Sequence, residues 1–139
     1  MKILKVFIPA IMILISSQAF AQWAFDTAVA AGENTSGIAI TSDGSKIVVS
    51  NNTNPGSVKI ISTSDYSISN VDISSIENYP NAVAIAQNDS IAIVNTTHNT
   101  IFIDINKHTV KRWSTAPCAG TSLYSIAVTK IGNKAIYPD

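Results

Sequence analysis

Three short stretches of the chain hold apolar residues almost without interruption, and they resemble one another. They are Ser36-Gly37-Ile38-Ala39-Ile40-Thr41, Asn81-Ala82-Val83-Ala84-Ile85-Ala86 and Tyr124-Ser125-Ile126-Ala127-Val128-Thr129. Aligning the central alanines Ala39, Ala84 and Ala127 gives steps of 45 and 43 residues. A turn follows each run. The first, Ser42-Asp43-Gly44-Ser45, carries an Asp-Gly pair between apolar segments, a strong hairpin signal because tight hairpin turns need positive φ. Gln87-Asn88-Asp89-Ser90 and residues 130–134 are weaker forms in the same place. Second strands follow at residues 46–50, 91–94 and 134–137, and the first two end at Asn51 and Asn95, which are 44 apart. Each of the first two repeats has room for two more strands, at 58–62 and 67–73 and at 100–104 and 109–114.

Four short strands in ~40–50 residues is the spacing of a propeller blade. The first strands are apolar on both faces, as suits a sheet packed between two neighbours. The run Ser67-Ile68-Ser69-Asn70-Val71-Asp72-Ile73 alternates, as suits a rim with one wet face. The pattern therefore predicts an all-β chain, an incomplete β-propeller of four-stranded antiparallel blades. The organisation it predicts is a signal peptide at 1–21, an N-terminal segment at 22–35, blade repeats at 36–80 and 81–123, and the start of a third repeat at 124–139. Within the N-terminal segment, residues 23–30 would suit an outer strand of a neighbouring blade. Composition agrees: Ile, Val, Ser, Thr and Asn abound, while Glu, Lys and Leu are scarce.

A propeller closes with ~4–8 blades, and two and a half are offered here. The unfinished third repeat points first to the N-terminal piece of a longer protein. Two alternatives are a ring of several copies and a small β-sandwich. Without neighbours, the faces around Ile38, Ile40, Val83 and Ile85 are expected to be exposed, and self-association through them is expected.

The run from Gly37 to Lys46, then Val48-Val49-Ser50-Asn51, then Ser57-Val58-Lys59-Ile60-Ile61-Ser62, resembles the YVTN-type β-propeller repeat. The second repeat matches through Ala82-Val83-Ala84-Ile85, Asn95 and Ile103-Asp104, without the Asp-Gly pair, and neither repeat has the motif's tyrosine. The resemblance covers roughly residues 36–139. It implies a propeller scaffold, and such propellers serve as binding scaffolds, surface proteins, lactone-cleaving enzymes and haem-enzyme domains.

The first residues set the compartment. Lys2 and Lys5, an apolar stretch from 6 to 15 and Ala19-Phe20-Ala21 form a secretory signal, with cleavage expected between Ala21 and Gln22. Ten apolar residues are too few to span ~30 Å of bilayer core, so no membrane span is expected after cleavage. The product would be periplasmic or extracellular. The chain has 9 basic and 9 acidic residues; losing Lys2 and Lys5 leaves 7 against 9, a net charge of −2. The charges are scattered, which argues against a nucleic-acid partner. Lys111-Arg112 is read as a solvated strand end.

Candidate chemistry is sparse. His98 and His108 fall in hairpin loops without partners at metal-ligand spacing. Asp43 and Asp65 are expected to bond their own turn amides. Cys118 is a lone cysteine, either a free thiol or half of a disulfide to another chain or to further sequence. Asn34, Asn51, Asn88 and Asn95 match the glycan acceptor pattern and are read as turn asparagines. No catalytic, cofactor-binding or metal-ligating set is assigned, and no cofactor is expected. The expected function is a binding or scaffold module for an unknown ligand or protein, with the loops 32–36, 74–80 and 117–123 as the places for contact by topology. The alternative is a piece of a propeller hydrolase of lactonase type, whose metal and carboxylates would converge from several blades.

Overall fold

Apolar runs of four to seven residues separated by Asp-, Asn- and Ser-rich turns favour one local solution, an antiparallel meander. A computed structural model, which describes residues 27–86, 88–115, 125–129 and 135–136, contains that meander twice. Blade 1 comprises β1 (Thr35–Ile40), β2 (Lys46–Asn51), β3 (Ser57–Ser62) and β4 (Ile68–Asp72). Blade 2 comprises β5 (Ala82–Ile85), β6 (Ile91–Asn95), β7 (Asn99–Asp104) and β8 (Thr109–Thr115). A further hairpin joins β9 (Ala127–Val128) to β10 (Ala135–Ile136). In both sheets the strands lie in chain order, every neighbour antiparallel. Among the described residues there is no helix, hence none long and apolar enough to cross a membrane. The protein is all-β, an unclosed propeller of four-stranded blades.

The repeat extends to backbone detail. Ala39 pairs with Val48, and its counterpart Ala84 with Ile93. The β1–β2 turn is closed by the Gly44 amide donating to Thr41 O, and the β5–β6 turn by the Asp89 amide donating to Ala86 O. Both central residues are left-handed, Gly44 at φ 72° and Asp89 at φ 53°. Aspartate is among the few side chains that tolerate this region, which is why a turn without Asp-Gly still forms. The β3–β4 and β7–β8 turns match too, with Tyr66 at φ 59° and His108 at φ 55°.

The blades stack with their first strands together: β1 lies against β5, and β4 against β8. Consecutive meanders stacked in this way, without crossovers between the sheets, replace the β-sandwich alternative. Gly37 makes the close approach possible. A Cβ on it would lie 2.7 Å from Ser50 Oγ, 2.9 Å from Val83 N and 3.0 Å from Ala82 Cα. Between the sheets lies one apolar cluster that includes Val48, Val58 and Ile60 from blade 1 and Val94, Ile101 and Ile103 from blade 2. A polar staple crosses the same seam: Asp89 Oδ1 accepts from the Ser42 amide at 2.9 Å, and Asp89 Oδ2 from the Ser42 hydroxyl.

Strand pairing divides blade 1 into two faces. Ala39, Val48, Val58, Ile60 and Val71 look toward blade 2. Ile38, Ile40, Ile47, Val49, Ile61 and Ile68 look away from it. Their register counterparts in blade 2 are Val83, Ile85, Ala92, Val94, Ile103 and Val110, all in or against the core because that face meets blade 1. Exposure thus falls where expected for Ile38 (67%) and Ile40 (58%) but not for Val83, which is 8% exposed, or Ile85, packed on the core. The correction has a simple cause: blade 1 is itself the neighbour that covers them.

Two smaller corrections concern polar residues. Asn51 and Asn95 end β2 and β6 and are buried, rather than standing in turns. The pair Lys111-Arg112 lies within β8, not at its end, with Lys111 exposed. Residues 27–34 form no strand. Residues 1–26, with the predicted signal, and Cys118 lie outside the described residues.

Candidate functional site

The loops that lead into the first strands were the sequence's candidates for contact, and two of them converge at one end of the blades. The Asn52 amide donates to Asn34 O at 2.8 Å, and the Tyr79 amide donates to Thr53 O at 3.0 Å. Ser36 Oγ donates to Pro80 O at 2.6 Å across 44 residues, one repeat length. Gly56, in the β2–β3 loop, sits against Pro80 and the backbone of Glu77 and Asn78. The loops 32–36, 51–57 and 74–80 therefore form one hydrogen-bonded rim. The third candidate loop, 117–123, lies outside the described residues.

Asparagines dominate the rim floor. Asn51 is 1% exposed; its Nδ2 donates to Glu33 O at 3.1 Å and Thr35 Oγ1 at 3.4 Å, and its Oδ1 accepts from Ser57 Oγ at 3.4 Å. Asn95, at the end of β6 and also 1% exposed, accepts from Thr100 Oγ1 at 3.2 Å, but its Nδ2 has no partner among the described residues. Asn81 accepts from Asn52 Nδ2 and likewise keeps a buried Nδ2 without a partner among the described residues. Leaving a buried donor unmade costs more than a made bond returns. Asn51→Ala is accordingly expected to lose about 1–3 kcal/mol, and Asn95→Ala distinctly less, as urea unfolding midpoints would show. The reverse order would refute this division of roles.

Above the floor stands a cluster that spacing did not reveal. Glu77, in the loop between the blades, accepts from Asn99 Nδ2 at 2.7 Å and from the Asn78 amide at 3.0 Å. His98 Nδ1 lies 3.3 Å from its Oε2. The Glu77 side chain is 11% exposed and that of His98 62%. Burial pushes the Glu77 carboxyl up, but the Asn78, Asn99 and His98 contacts outweigh it and hold the group below the usual glutamate value. A carboxylate fixed this way orients an imidazole that is itself mostly exposed. Glu77 stands 21 and 22 residues from its partners, so only the fold brings them together. On the same loop as Glu77, Tyr79 is 44% exposed and left-handed at φ 54°. For an aromatic residue that backbone costs about 1–3 kcal/mol, and such strain gathers at functional sites.

Four aspartates serve their own turns, as read for Asp43 and Asp65. Asp43 Oδ1 accepts from the Ser45 amide at 2.9 Å, and Asp65 Oδ1 from that of Ser67 at 3.2 Å. Asp72 and Asp104 do the same for Ser74 and for Asn106 and Lys107. Hydroxyls of Thr41 and Ser45, with the Ser45 amide, bring the Asp43 pKa down to about 2. His108 is exposed in the β7–β8 turn, away from this rim. Among the described residues no group of three or more His, Cys, Asp or Glu could hold a metal ion.

The fold, a stack of four-stranded meanders joined at their first strands, is that of β-propeller domains. The chain is similar to Kuenenia stuttgartiensis hydrazine synthase, with a TM-score of 0.65 at 16% identity over 85% of this chain and 32% of that one. It is also similar to the β-propeller domain of Myceliophteria thermophila Cps50 (Swd1), with a TM-score of 0.57 at 8% identity over 70% of this chain and 29% of that one. The chain thus spans about a third of the length of either structure. At these identities the likeness is one of fold. No family model matches the sequence, and no curated protein matches it.

Proposed function

We propose that this chain is an exported binding or scaffold module, built from YVTN-type propeller blades, that presents the rim of the inner strands to a ligand outside the cytoplasm. The observation that carries the reading is the Glu77 carboxylate bound to His98 and Asn99, on a loop that also carries the exposed Tyr79 and is tied to the strand floor. An exposed aromatic on the same loop as the carboxylate that orients an imidazole and an amide is equipped to hold a polar ligand, and no covalent chemistry is needed. The YVTN assignment is supported by the Gly37-to-Lys46 run, the buried Asn51 and the Val58-to-Ile61 strand. Export is supported by the Lys2–Ala21 signal pattern.

The test is a set of NMR spectra of the secreted protein titrated with oligosaccharide and peptide libraries. Shift changes should gather at Glu77, Tyr79, His98 and Asn99 and vanish in Tyr79→Ala. Changes confined to another surface would remove the rim from consideration. Metal analysis of the same sample decides the alternative: stoichiometric Ca²⁺, Mg²⁺ or Zn²⁺ would favour a piece of a propeller hydrolase. N-terminal sequencing should begin at Gln22.

A further inference from the structure

At the end of the blades away from the asparagine rim, the face of blade 1 that meets blade 2 changes character. Val48, Val58, Ile60 and Val71 on that face belong to the shared core. Positions two apart in a strand share a face, so Lys46, Ser62 and Ser69 lie on it too. The ladders agree: Lys46 stands opposite Ser62, and Ser69 opposite Ile60. The repeat does not demand this polar set. Its register counterparts in blade 2 are Ile91, Asp104 and Arg112.

These residues line an open cavity of about 260 Å³, together with Ser67 and the apolar side of Ile60. Blade 2 completes the lining with Asn106 and His108 from the β7–β8 turn. One bond ties the two blades here, Lys46 Nζ donating to Asn106 Oδ1 at 2.6 Å across 60 residues.

That bond leaves the charge of Lys46 unmatched. The residue is half-buried, and among the described residues no carboxylate forms a salt bridge with it. Asp65 and Asp104, in the flanking turns, do not line the cavity. Asp65 Oδ1 accepts from the Ser67 amide and hydroxyl, and Asp104 Oδ1 from the amides of Asn106 and Lys107. An ammonium group partly withdrawn from water attracts an anion more strongly than one in bulk solvent. Neutral donors share the space. With Asn106 Oδ1 on the lysine, its Nδ2 is left to donate. Ser69 Oγ has no partner among the described residues. The His108 imidazole carries an N–H in either tautomer.

We propose that this inter-blade cavity is a second binding site, one for a phosphate or sulfate group held by Lys46, Ser69, Asn106 and His108. Charge-assisted donors supplied by both blades would make the bound oxyanion a bridge between them. The site lies at the opposite end of the strands from Glu77 and stands independently of any ligand at the rim.

The test follows amide shifts of the purified protein titrated, at constant ionic strength, with inorganic phosphate and with inorganic sulfate. Saturating shifts should gather at Lys46, Ser69, Asn106 and His108, and the melting temperature should rise with anion concentration. Binding of either anion supports the site, and the tighter of the two names its ligand. Lys46→Met should weaken binding about tenfold, as expected for loss of a hydrogen bond to a charged group. Lys59→Met removes the same charge from the opposite face of blade 1 and should bind as wild type does. If Lys46→Met fails to fold, two milder variants decide. Ser69→Ala and His108→Asn should each weaken binding severalfold, and asparagine suits the left-handed backbone at position 108. Equal losses in Lys46→Met and Lys59→Met would overturn the proposal, since binding would then follow net charge alone. So would shifts that never saturate, or wild-type affinity in both Ser69→Ala and His108→Asn.

Discussion

Ile103→Ala is expected to lower the stability of the protein by about 2–5 kcal/mol, the usual range for truncating a fully buried isoleucine. Ile103 is 0% exposed and belongs to the cluster shared by both blades. It pairs with Ala92 across the sheet, and a residue as small as alanine beside it leaves little with which to fill a cavity. The loss would remove a large share of a total that is ~5–15 kcal/mol in domains of this size. Because the cluster joins the sheets, the two blades should lose stability together. Native-state hydrogen exchange would show it as equal drops in protection for β2–β3 and β6–β7. A loss confined to blade 2 would mean that the blades unfold independently.

Gly37→Val should be nearly as damaging, for the opposite reason. Nothing is removed; instead a side chain is forced into the seam between the first strands. Two of the three atoms a Cβ would meet belong to the backbone of β5, at 2.9 and 3.0 Å, and cannot rotate away. Overpacking of this kind costs about 1–3 kcal/mol, and here the strain is relieved only by parting the blades. Gly37→Ala should show a smaller effect of the same sign, since it adds the Cβ without the branches. A thermal melt would rank wild type, Ala and Val in that order. If Val melted with wild type, β1 and β5 would have to lie farther apart than described.

The strands were legible because apolar runs and turn signals are local properties. Predicted strands at 46–50, 58–62 and 91–94 lie within a residue of β2, β3 and β6. The 44-residue spacing of Asn51 and Asn95 was one short of the structural repeat: in register Asn95 matches Ser50, so the two asparagines end equivalent strands on opposite faces. What escaped the sequence depends on neighbours. Ile38 and Val83 occupy the same place in the repeat and read alike, but only one has a blade against it. The Glu77 cluster was invisible for a related reason. Its members sit in separate loops and make no pattern until the inter-blade loop is laid beside the β6–β7 hairpin. The Asp89–Ser42 staple spans 47 residues and likewise exists only in the folded stack.

The sheets pair only with what is near in the chain. Their ladder partners are never farther apart than Thr35 and Asn51, sixteen positions. Short loops close at little entropic cost and quickly. A ribosome or a translocation pore delivers the chain from its N-terminus, so blade 1 has all its ladder partners as soon as residue 72 is free. Blade 2 then meets a finished surface on which to condense. Assembly of this kind proceeds in one direction, each blade a template for the next, and it gives the first surface to emerge, the one carrying Ile38 and Ile40, the longest wait for cover.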